Sequence, residues 1–533
     1  MSFNPVAEWE PIVPQEVHEE PTGPYEVSQS KRVIQVGIAV IYCLLAAGIV
    51  FGYAALKPVL VKEGVYRDRC TKQELEDGVW VCYEQEVRLN LMFTVAAVST
   101  NMCALPVGTV LDRYGPRIAS FVGVFFLTLG ALLMAFASDL PFDGYIPGYL
   151  FLALGGPFVF VPSFQLSNTF PKHSGFILAL LTGAFDTSSA VFLLYRLIYQ
   201  GTDGSFTPKK FFLLYLIVPV LILIAQVVVM PGQSYKTVGE LSKQTEAPSP
   251  THDSTAQQQY NGNNVSDETA LLGPKHGEAE AQAEEQKAAQ SGVYGALHGK
   301  TAAQQIASPW FILITVFTVI QMLRINYFVA TIRTQYTEML HSPSRAAQVN
   351  EFFDVALPLG GVIAVPFIGL VLDHTSTPFV LALLVSIATA IGVLGIVPQM
   401  WAAYANICLF VVYRPLYYTA VSDYSAKVFG FATFGKVYGL LICLAGLLNL
   451  SQAGLDTLTH GVFNNDPVPV NVILLGAALA VGVVLVGFVW RKSYTMHREM
   501  LEEEAEGASE ALMPGADVAN TQRPHGHETY GTA

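Results

Sequence analysis

Ionisable side chains interrupt several long apolar stretches of this 533-residue chain. Asp186 lies in the stretch 174–198, Arg324 in 308–330 and Arg414 in 401–424. Placing one such charge in hydrocarbon costs at least about 2.5–3.5 kcal/mol, so these residues are kept mainly for binding, proton transfer or pairing. An arginine at this depth suits a carboxylate, and Asp186 suits an ammonium group or a proton.

Uncharged polar groups accompany these charges. Arg324, Tyr327 and Thr331 stand at positions i, i+3 and i+7 and share one helix face, with Asn326 beside them. Side chains that only join helices, by hydrogen bonds or gate ion pairs, are the alternative interpretation. We predict a polar binding site within the membrane, formed by Asp186, Arg324, Asn326, Tyr327, Gln165, Arg414 and Tyr418.

A Gly-Asp motif separates two apolar stretches and returns later in the chain. It reads Gly108-Thr-Val-Leu-Asp112-Arg113-Tyr-Gly115-Pro-Arg117, and the same spacing recurs in Gly369-Leu-Val-Leu-Asp373. Glycine permits close helix approach, aspartate accepts hydrogen bonds from a neighbouring helix N-terminus, and arginine favours a cytosolic face. Gly115 permits a tight turn. The repeat predicts two related halves.

Composition excludes one large soluble domain. The chain is 52% hydrophobic and 13% charged, with a mean hydropathy of +0.42. These values are typical of a polytopic membrane protein. We predict an all-α membrane protein with twelve transmembrane helices near 33–56, 89–111, 118–138, 145–166, 174–198, 210–230, 308–330, 350–372, 378–397, 401–424, 435–458 and 470–490.

The net charge of −13 lies mostly outside these helices. We predict six-helix bundles at 31–231 and 306–492, with disordered cytosolic segments at 1–30, 232–305 and 493–533. Lys31 and Arg32 precede the first span and place the N-terminus in the cytosol by the positive-inside rule. The tail 1–30 has no features of a cleaved signal peptide, so we expect the first span to act as its own anchor.

Two of the six cysteines lie outside the predicted spans, Cys70 and Cys82 in the first extracytosolic loop. In that compartment they are suited to a disulfide that stabilises the loop by about 3 kcal/mol. Two free thiols are the alternative.

The central segment contains an acidic dileucine sequence, Asp267-Glu-Thr-Ala-Leu271-Leu272. Sorting adaptors bind such sequences in extended form, so we expect an adaptor partner and favour a vacuolar or endosomal membrane over the plasma membrane. No Walker sequence, metal-ligand spacing or nucleophile elbow is present. We therefore expect no enzyme activity, no cofactor and no nucleic-acid partner; the expected partners are a small-molecule solute and the lipid bilayer.

The Gly108–Arg117 motif resembles the loop between the second and third helices of the major facilitator superfamily, with Pro116 where the family usually has a basic residue. This resemblance implies two helical bundles that rock about a central site. It also implies a conformational latch at the cytosolic ends of the bundles, formed by Gly108, Asp112, Arg113, Arg117, Gly369 and Asp373.

Three further stretches are similar to solute carrier family 43, namely Phe51-Gly-Tyr53, Gly155–Asn168 and Arg324–Thr331. That family comprises facilitative carriers of large neutral amino acids, a related purine-nucleobase carrier and fungal members. The resemblance implies uniport of an uncharged or zwitterionic solute. Two alternatives stay open: a proton-coupled carrier of another small solute, in which Asp186 or Glu351 would titrate, and a solute sensor that does not transport.

Overall fold

The computed structural model describes residues 27–76, 82–235, 290–464 and 466–512. All regular structure in these ranges is helical. The helices are α1 (Gln29–Ala46), α2 (Tyr53–Lys62), α3 (Lys72–Glu76), α4 (Tyr83–Met102), α5 (Ala104–Phe136), α6 (Tyr145–Ser163), α7 (Ser174–Thr187), α8 (Ala190–Gly201), α9 (Pro208–Tyr215), α10 (Ile217–Val228), α11 (Ala302–Ile306), α12 (Pro309–Leu340), α13 (Pro343–His374), α14 (Thr377–Leu394), α15 (Met400–Phe429), α16 (Phe434–Leu448), α17 (Gln452–Thr457) and α18 (Val468–Leu512).

Ten stretches of the described residues are long and apolar enough to cross a membrane. One of them, Glu84–Phe136, has 53 residues and leaves the helical conformation at Gly115, where φ is 82°, so it accounts for two crossings. Pro116 follows, and its missing N–H is tolerated at the start of the next helix. The 30-residue helix α15 is also long enough to cross, although it carries several charged residues. The path agrees with the twelve predicted spans.

Two of the spans are interrupted, and the interruptions contact each other near the centre of the molecule. A 3-10 turn, Ile49–Gly52, separates α1 from α2, and Ser188 and Ser189 separate α7 from α8. The breaks lie against each other, because the Gly48 N–H donates to the Ser188 hydroxyl at 3.2 Å. Asp186 therefore lies in the last turn of α7, beside an interruption of the neighbouring helix.

The helices form two groups that follow the chain. Helices α4, α5 and α6 pack on one another in the amino half. In the carboxyl half, α13 and α14 pack on α15, and α12 and α14 pack on α18. The halves meet chiefly along two helix pairs, α5 with α16 and α7 with α13, and also where α7 contacts α15 and α4 contacts α16. These pairs frame the space between the halves.

Part of the segment 232–305 is ordered, so its prediction as wholly disordered is wrong. Val293 and Leu297 are buried, and the N–H groups of Gly295 and Leu297 donate to the carbonyls of Lys427 and Val428 at 2.9 and 3.0 Å. Apolar burial and paired backbone groups stabilise this stretch against the end of α15.

The tail prediction is also wrong at its start, because α18 continues to Leu512. Residues 493–512 are rich in Glu, Ala, Leu and Met, which favour helix even without a buried face. Residues 1–26, 236–289 and 513–533 lie outside the described residues, and so do the sorting residues Asp267, Leu271 and Leu272.

The structure joins Cys70 to Cys82 in a disulfide, as predicted, with their Cα atoms 5.6 Å apart. The bond closes the loop between α2 and α4 at the end of the molecule opposite Asp112 and Asp373. We call this end the disulfide end, and the end that carries the two aspartates the latch end.

Candidate functional site

A central cavity of about 770 Å³ lies between the two halves. Both halves contribute to its wall, so relative movement of the halves changes its shape. The amino half supplies Phe51, Thr100, Asn101, Ala104, Pro157, Phe160, Val161, Phe164, Thr182 and Phe185, and the carboxyl half supplies Met322, Asn326, Arg414, Tyr418, Tyr438 and Ile442.

An ion pair joins the halves beside this cavity. The Arg414 Nη2 atom lies 3.5 Å from the Asp186 Oδ1 atom, and the two side chains are 17% and 6% exposed. The Asp186 Oδ1 atom accepts no hydrogen bond from the described residues. The Arg414 guanidinium also lies over the Tyr418 ring, 5.9 Å from its centroid. Because the pair is long and incompletely hydrogen-bonded, both charges retain capacity for another partner.

Aromatic rings form most of the remaining wall. Phe160 lies 4.7 Å from both Phe164 and Phe185, measured between ring centroids, and Phe51 lies 5.7 Å from Phe185. Across the interface, Phe164 lies 5.7 Å from Tyr438. These rings surround the charged pair with an apolar surface that suits a hydrophobic or planar group.

Two carboxylates fasten the latch end, one from each half. Asp112 accepts hydrogen bonds from the N–H groups of Gly435 and Lys436, both at 2.9 Å. Asp373 accepts from those of Gly175 and Phe176 at 2.7 and 3.0 Å. Each carboxylate thus lies at the N-terminus of a helix from the opposite half, where the helix dipole favours negative charge.

The motif glycines allow the halves to approach closely at this end. A Cβ on Gly108 would overlap the Gly435 carbonyl oxygen, and a Cβ on Gly369 would overlap Phe176. Between the latch and the cavity, Phe164 also lies 6.0 Å from Phe434 across the interface. The latch end is therefore closed by backbone contact, hydrogen bonds and aromatic packing.

Residues 43–451 match the sequence profile of the Major Facilitator Superfamily. The chain belongs to this superfamily. It is therefore an integral membrane transporter with the all-helical fold of that superfamily, and the resemblance predicted from the sequence is confirmed.

The proteins similar to this chain include a nucleobase transporter and an amino-acid transporter. The chain is 44% identical to Protein FMP42 of Saccharomyces cerevisiae, over 87% of this chain and 95% of that protein. It is 25% identical to Equilibrative nucleobase transporter 1 of Bos taurus, over 83% and 93%. It is 32% identical to the human Large neutral amino acids transporter small subunit 3, over 31% of each chain.

A solved superfamily structure shares the fold. The proton:xylose symporter XylE aligns with a TM-score of 0.57 over 87% of this chain and 96% of that chain, at 14% sequence identity.

The structure places six of the seven predicted site residues in two separate places. Asn326, Arg414 and Tyr418 line the central cavity, and Asp186 pairs with Arg414. Arg324 and Tyr327 instead line a second cavity within the carboxyl half. Residues 324 and 326 of α12 are separated by about 200° around a helix, so they face opposite ways. The spacing in the sequence showed that Arg324 and Tyr327 share a helix face. It could not show which cavity that face borders.

Gln165 lies outside the residues that line the central cavity. Its Oε1 atom accepts from the Tyr235 N–H at 2.8 Å, and the Asn168 amide donates to the Tyr235 carbonyl at 2.8 Å. Gln165 thus holds the segment after α10 in place through a hydrogen bond. Its partner is 70 residues away, and nothing in the local sequence indicates it.

Among the described residues, the contacts of the two arginines of the superfamily motif lie within the amino half. Arg117 donates to the Met230 carbonyl at 2.9 Å, and Arg113 lies over the Tyr114 ring at 5.4 Å. Both contacts are within the amino half. Of the predicted latch, Gly108, Asp112, Gly369 and Asp373 lie at the interface between the halves.

Sequence reasoning missed Asn101 and Tyr438 as cavity residues. Each is a polar side chain in an apolar run, Asn101 in α4 and Tyr438 in α16. That feature is the signal that would have found them, but other polar residues in these helices share it. Only the packing of the two halves places them at the central cavity.

Proposed function

We propose that this transporter moves neutral amino acids across the membrane by facilitated diffusion with alternating access. The observation that carries the proposal is the Arg414–Asp186 pair, 3.5 Å apart beside an aromatic cavity. One positive and one negative group match the carboxylate and ammonium groups of a zwitterion. The aromatic wall suits a large apolar side chain.

Charge balance favours a zwitterion over a singly charged solute. Among the described cavity-lining residues Arg414 is the only charged one, and Asp186 offsets it. A zwitterion adds no net charge when it enters between them, whereas an anion or cation would leave one charge unmatched at membrane depth. The solute carboxylate would pair with Arg414 and its ammonium with Asp186.

Opening and closing of the latch would provide the conformational change that alternating access requires. With the Asp112 and Asp373 caps formed, the latch end is closed and the solute would enter from the disulfide end. Breaking both caps would let the halves rock and release the solute at the other side. The positive-inside rule assigns the latch end to the cytosol.

A nucleobase is the second candidate solute. Asn101 and Asn326 place two amides in the cavity, and amides match the donors and acceptors of a base edge while the rings stack on its face. The full-length similarity to a nucleobase transporter also favours this candidate.

Uptake into proteoliposomes tests these solutes against each other. We expect purified protein to give saturable uptake of labelled leucine that does not change when a proton gradient is imposed. Protein-free liposomes supply the background. Uptake of adenine without leucine would identify the nucleobase carrier, and leucine uptake that requires the gradient would identify a proton-coupled carrier. Leucine binding without any uptake would favour a sensor.

We also propose a vacuolar or endosomal location, on the strength of the dileucine sequence Asp267–Leu272. Replacing Leu271 and Leu272 with Ala is expected to move a fluorescently tagged protein to the plasma membrane, because a sorting adaptor loses its apolar contacts. Asn264→Ala in the same segment is the matched control. An unchanged distribution of the Leu271→Ala/Leu272→Ala protein would contradict the proposal.

A further inference from the structure

A second cavity, with about 520 Å³ of space, is lined, within the described part of the chain, only by residues of the carboxyl half. Helices α12, α14, α15 and α18 form its wall, and the central cavity lies on the other side of α12 and α15. Tyr413 lines the second cavity, and the next residue, Arg414, lines the central one. Neither the latch nor the proposed solute contacts involve this second cavity.

Arg324 lies in this cavity without an acidic partner among the described residues. Its guanidinium donates to the Gln321 Oε1 atom at 3.3 Å and to the Ala388 carbonyl at 2.9 Å. Both acceptors are neutral. A charge at membrane depth is stabilised by an opposite charge, and here the described protein groups supply none.

Three other polar side chains of the wall have a buried atom without a hydrogen-bond partner in the described part of the chain. These atoms are Gln321 Nε2, Tyr413 Oη and Asn406 Oδ1. The side chains are almost fully buried, with exposures of 1%, 2% and 1%. Buried polar groups in native proteins are nearly always satisfied, so three unpartnered atoms in the wall beside one arginine leave hydrogen-bonding capacity for a bound ligand.

The chemistry of these groups defines the ligand. The guanidinium, the Gln321 amide and the Tyr413 hydroxyl are all donors. Asn406 adds a fourth when its amide is turned over, since the Tyr336 hydroxyl, 3.2 Å from Asn406 Nδ2, then donates to the oxygen. Four donor groups, one of them positively charged, match a compact anion that accepts hydrogen bonds from several directions.

We propose that the carboxyl half binds a small inorganic monovalent anion, held by Arg324 in this cavity. The anion balances the buried guanidinium and links α12 to α15. Because α12 and α15 also carry Asn326 and Arg414, the bound anion fixes the carboxyl-half wall of the central cavity. It is a structural ligand of the transporter and not its solute.

The melting temperature of the purified wild-type protein tests this proposal in the absence of any transported solute. Chloride is titrated against gluconate at constant ionic strength, since gluconate is bulkier and strongly hydrated. We expect a saturable rise in melting temperature with chloride, and a parallel titration with bicarbonate shows which inorganic anion binds more tightly. No rise with either anion would overturn the proposal.

Single substitutions test whether chloride acts at this cavity. Arg324→Gln is expected to abolish the chloride-dependent rise, and Tyr413→Phe, which keeps the ring, is expected to weaken chloride binding about tenfold by removing one hydrogen bond to a charged group. Arg333→Gln, at an exposed position of the same helix, is expected to leave it unchanged. If Arg324→Gln or Tyr413→Phe showed the same chloride-dependent rise in melting temperature as the wild type, the assignment of the anion to this cavity would be overturned.

Competition separates this site from the central one. Leucine is expected to raise the melting temperature without displacing chloride. Displacement of chloride by leucine would make the second cavity a solute site and would overturn the anion proposal. A protein that binds chloride but transports no amino acid would leave the anion site intact and contradict only the proposed function.

Discussion

Replacing Arg414 with Gln is expected to lower the initial rate of solute uptake about 100-fold. Truncating one partner of a buried, hydrogen-bonded charge pair costs about 2–5 kcal/mol of binding free energy, and each 1.4 kcal/mol is a factor of ten. The substitution also leaves Asp186 buried without a partner, which lowers the stability of the protein by about 3–5 kcal/mol. The solute carboxylate also loses its guanidinium. Uptake by the variant in proteoliposomes is measured per inserted molecule, so that loss of protein is not counted as loss of transport.

Two further variants separate binding from folding. The double variant Asp186→Asn/Arg414→Gln removes both charges, so it is expected to recover thermal stability while remaining inactive. Arg196→Gln, on α8 outside the linings of both cavities, is the matched control and is expected to transport normally. Near-normal uptake by Arg414→Gln or by the double variant would rule out the charged pair as the solute site.

Replacing Asp112 with Asn is expected to open the latch end. The substitution leaves one neutral acceptor for two helix N–H groups, and hydrogen bonds to a charged group are worth about 1.5–3 kcal/mol. The closed population relative to the open one is therefore expected to fall about tenfold or more. Asp373→Asn is expected to act in the same direction, because its contacts repeat those of Asp112 in the other half.

Thiol labelling measures this opening. Leu372 is 1% exposed and packs against Gly175 across the interface, so Leu372→Cys is shielded while the latch is closed. It is introduced in a Cys408→Ser background, since Cys408 is the exposed free cysteine among the described residues. A membrane-impermeant reagent is expected to label the cysteine at position 372 about tenfold faster when Asp112→Asn is also present. Asp139→Asn, on a distant loop, is the control and is expected to leave the labelling rate unchanged. Equal labelling rates in all of these proteins would show that the carboxylates do not hold the halves together.

The glycines and aspartates of the latch were predictable from sequence because their residue types show what they need, although the sequence does not show their distant partners. A Gly-to-Asp spacing that occurs twice specifies close helix approach and a carboxylate for a helix N-terminus, and the structure places Asp112 and Asp373 at such termini. The helices were predictable for a similar reason, since long apolar runs have few alternatives in a membrane. The ordered stretch 290–305 was not, because its partners Lys427 and Val428 lie far along the chain.

The site was only partly predictable because helices buried on several sides do not show which face meets which cavity. Arg324 and Arg414 look equivalent in the sequence, each a lone cation in an apolar helix. Packing separates them: Arg414 meets Asp186 across the interface, whereas Arg324 meets neutral groups within its own half. Distinguishing them requires the angles at which α12 and α15 pack, which are set by the whole bundle.

The Cys70–Cys82 bond has a consequence for biosynthesis. Oxidising enzymes act in the lumen of the secretory pathway and not in the cytosol, so the bond forms only in chains whose first loop has been translocated. A chain inserted upside down retains two thiols instead. The fraction of newly made protein that carries the bond therefore reports, molecule by molecule, how faithfully the membrane-insertion machinery sets the orientation of this transporter.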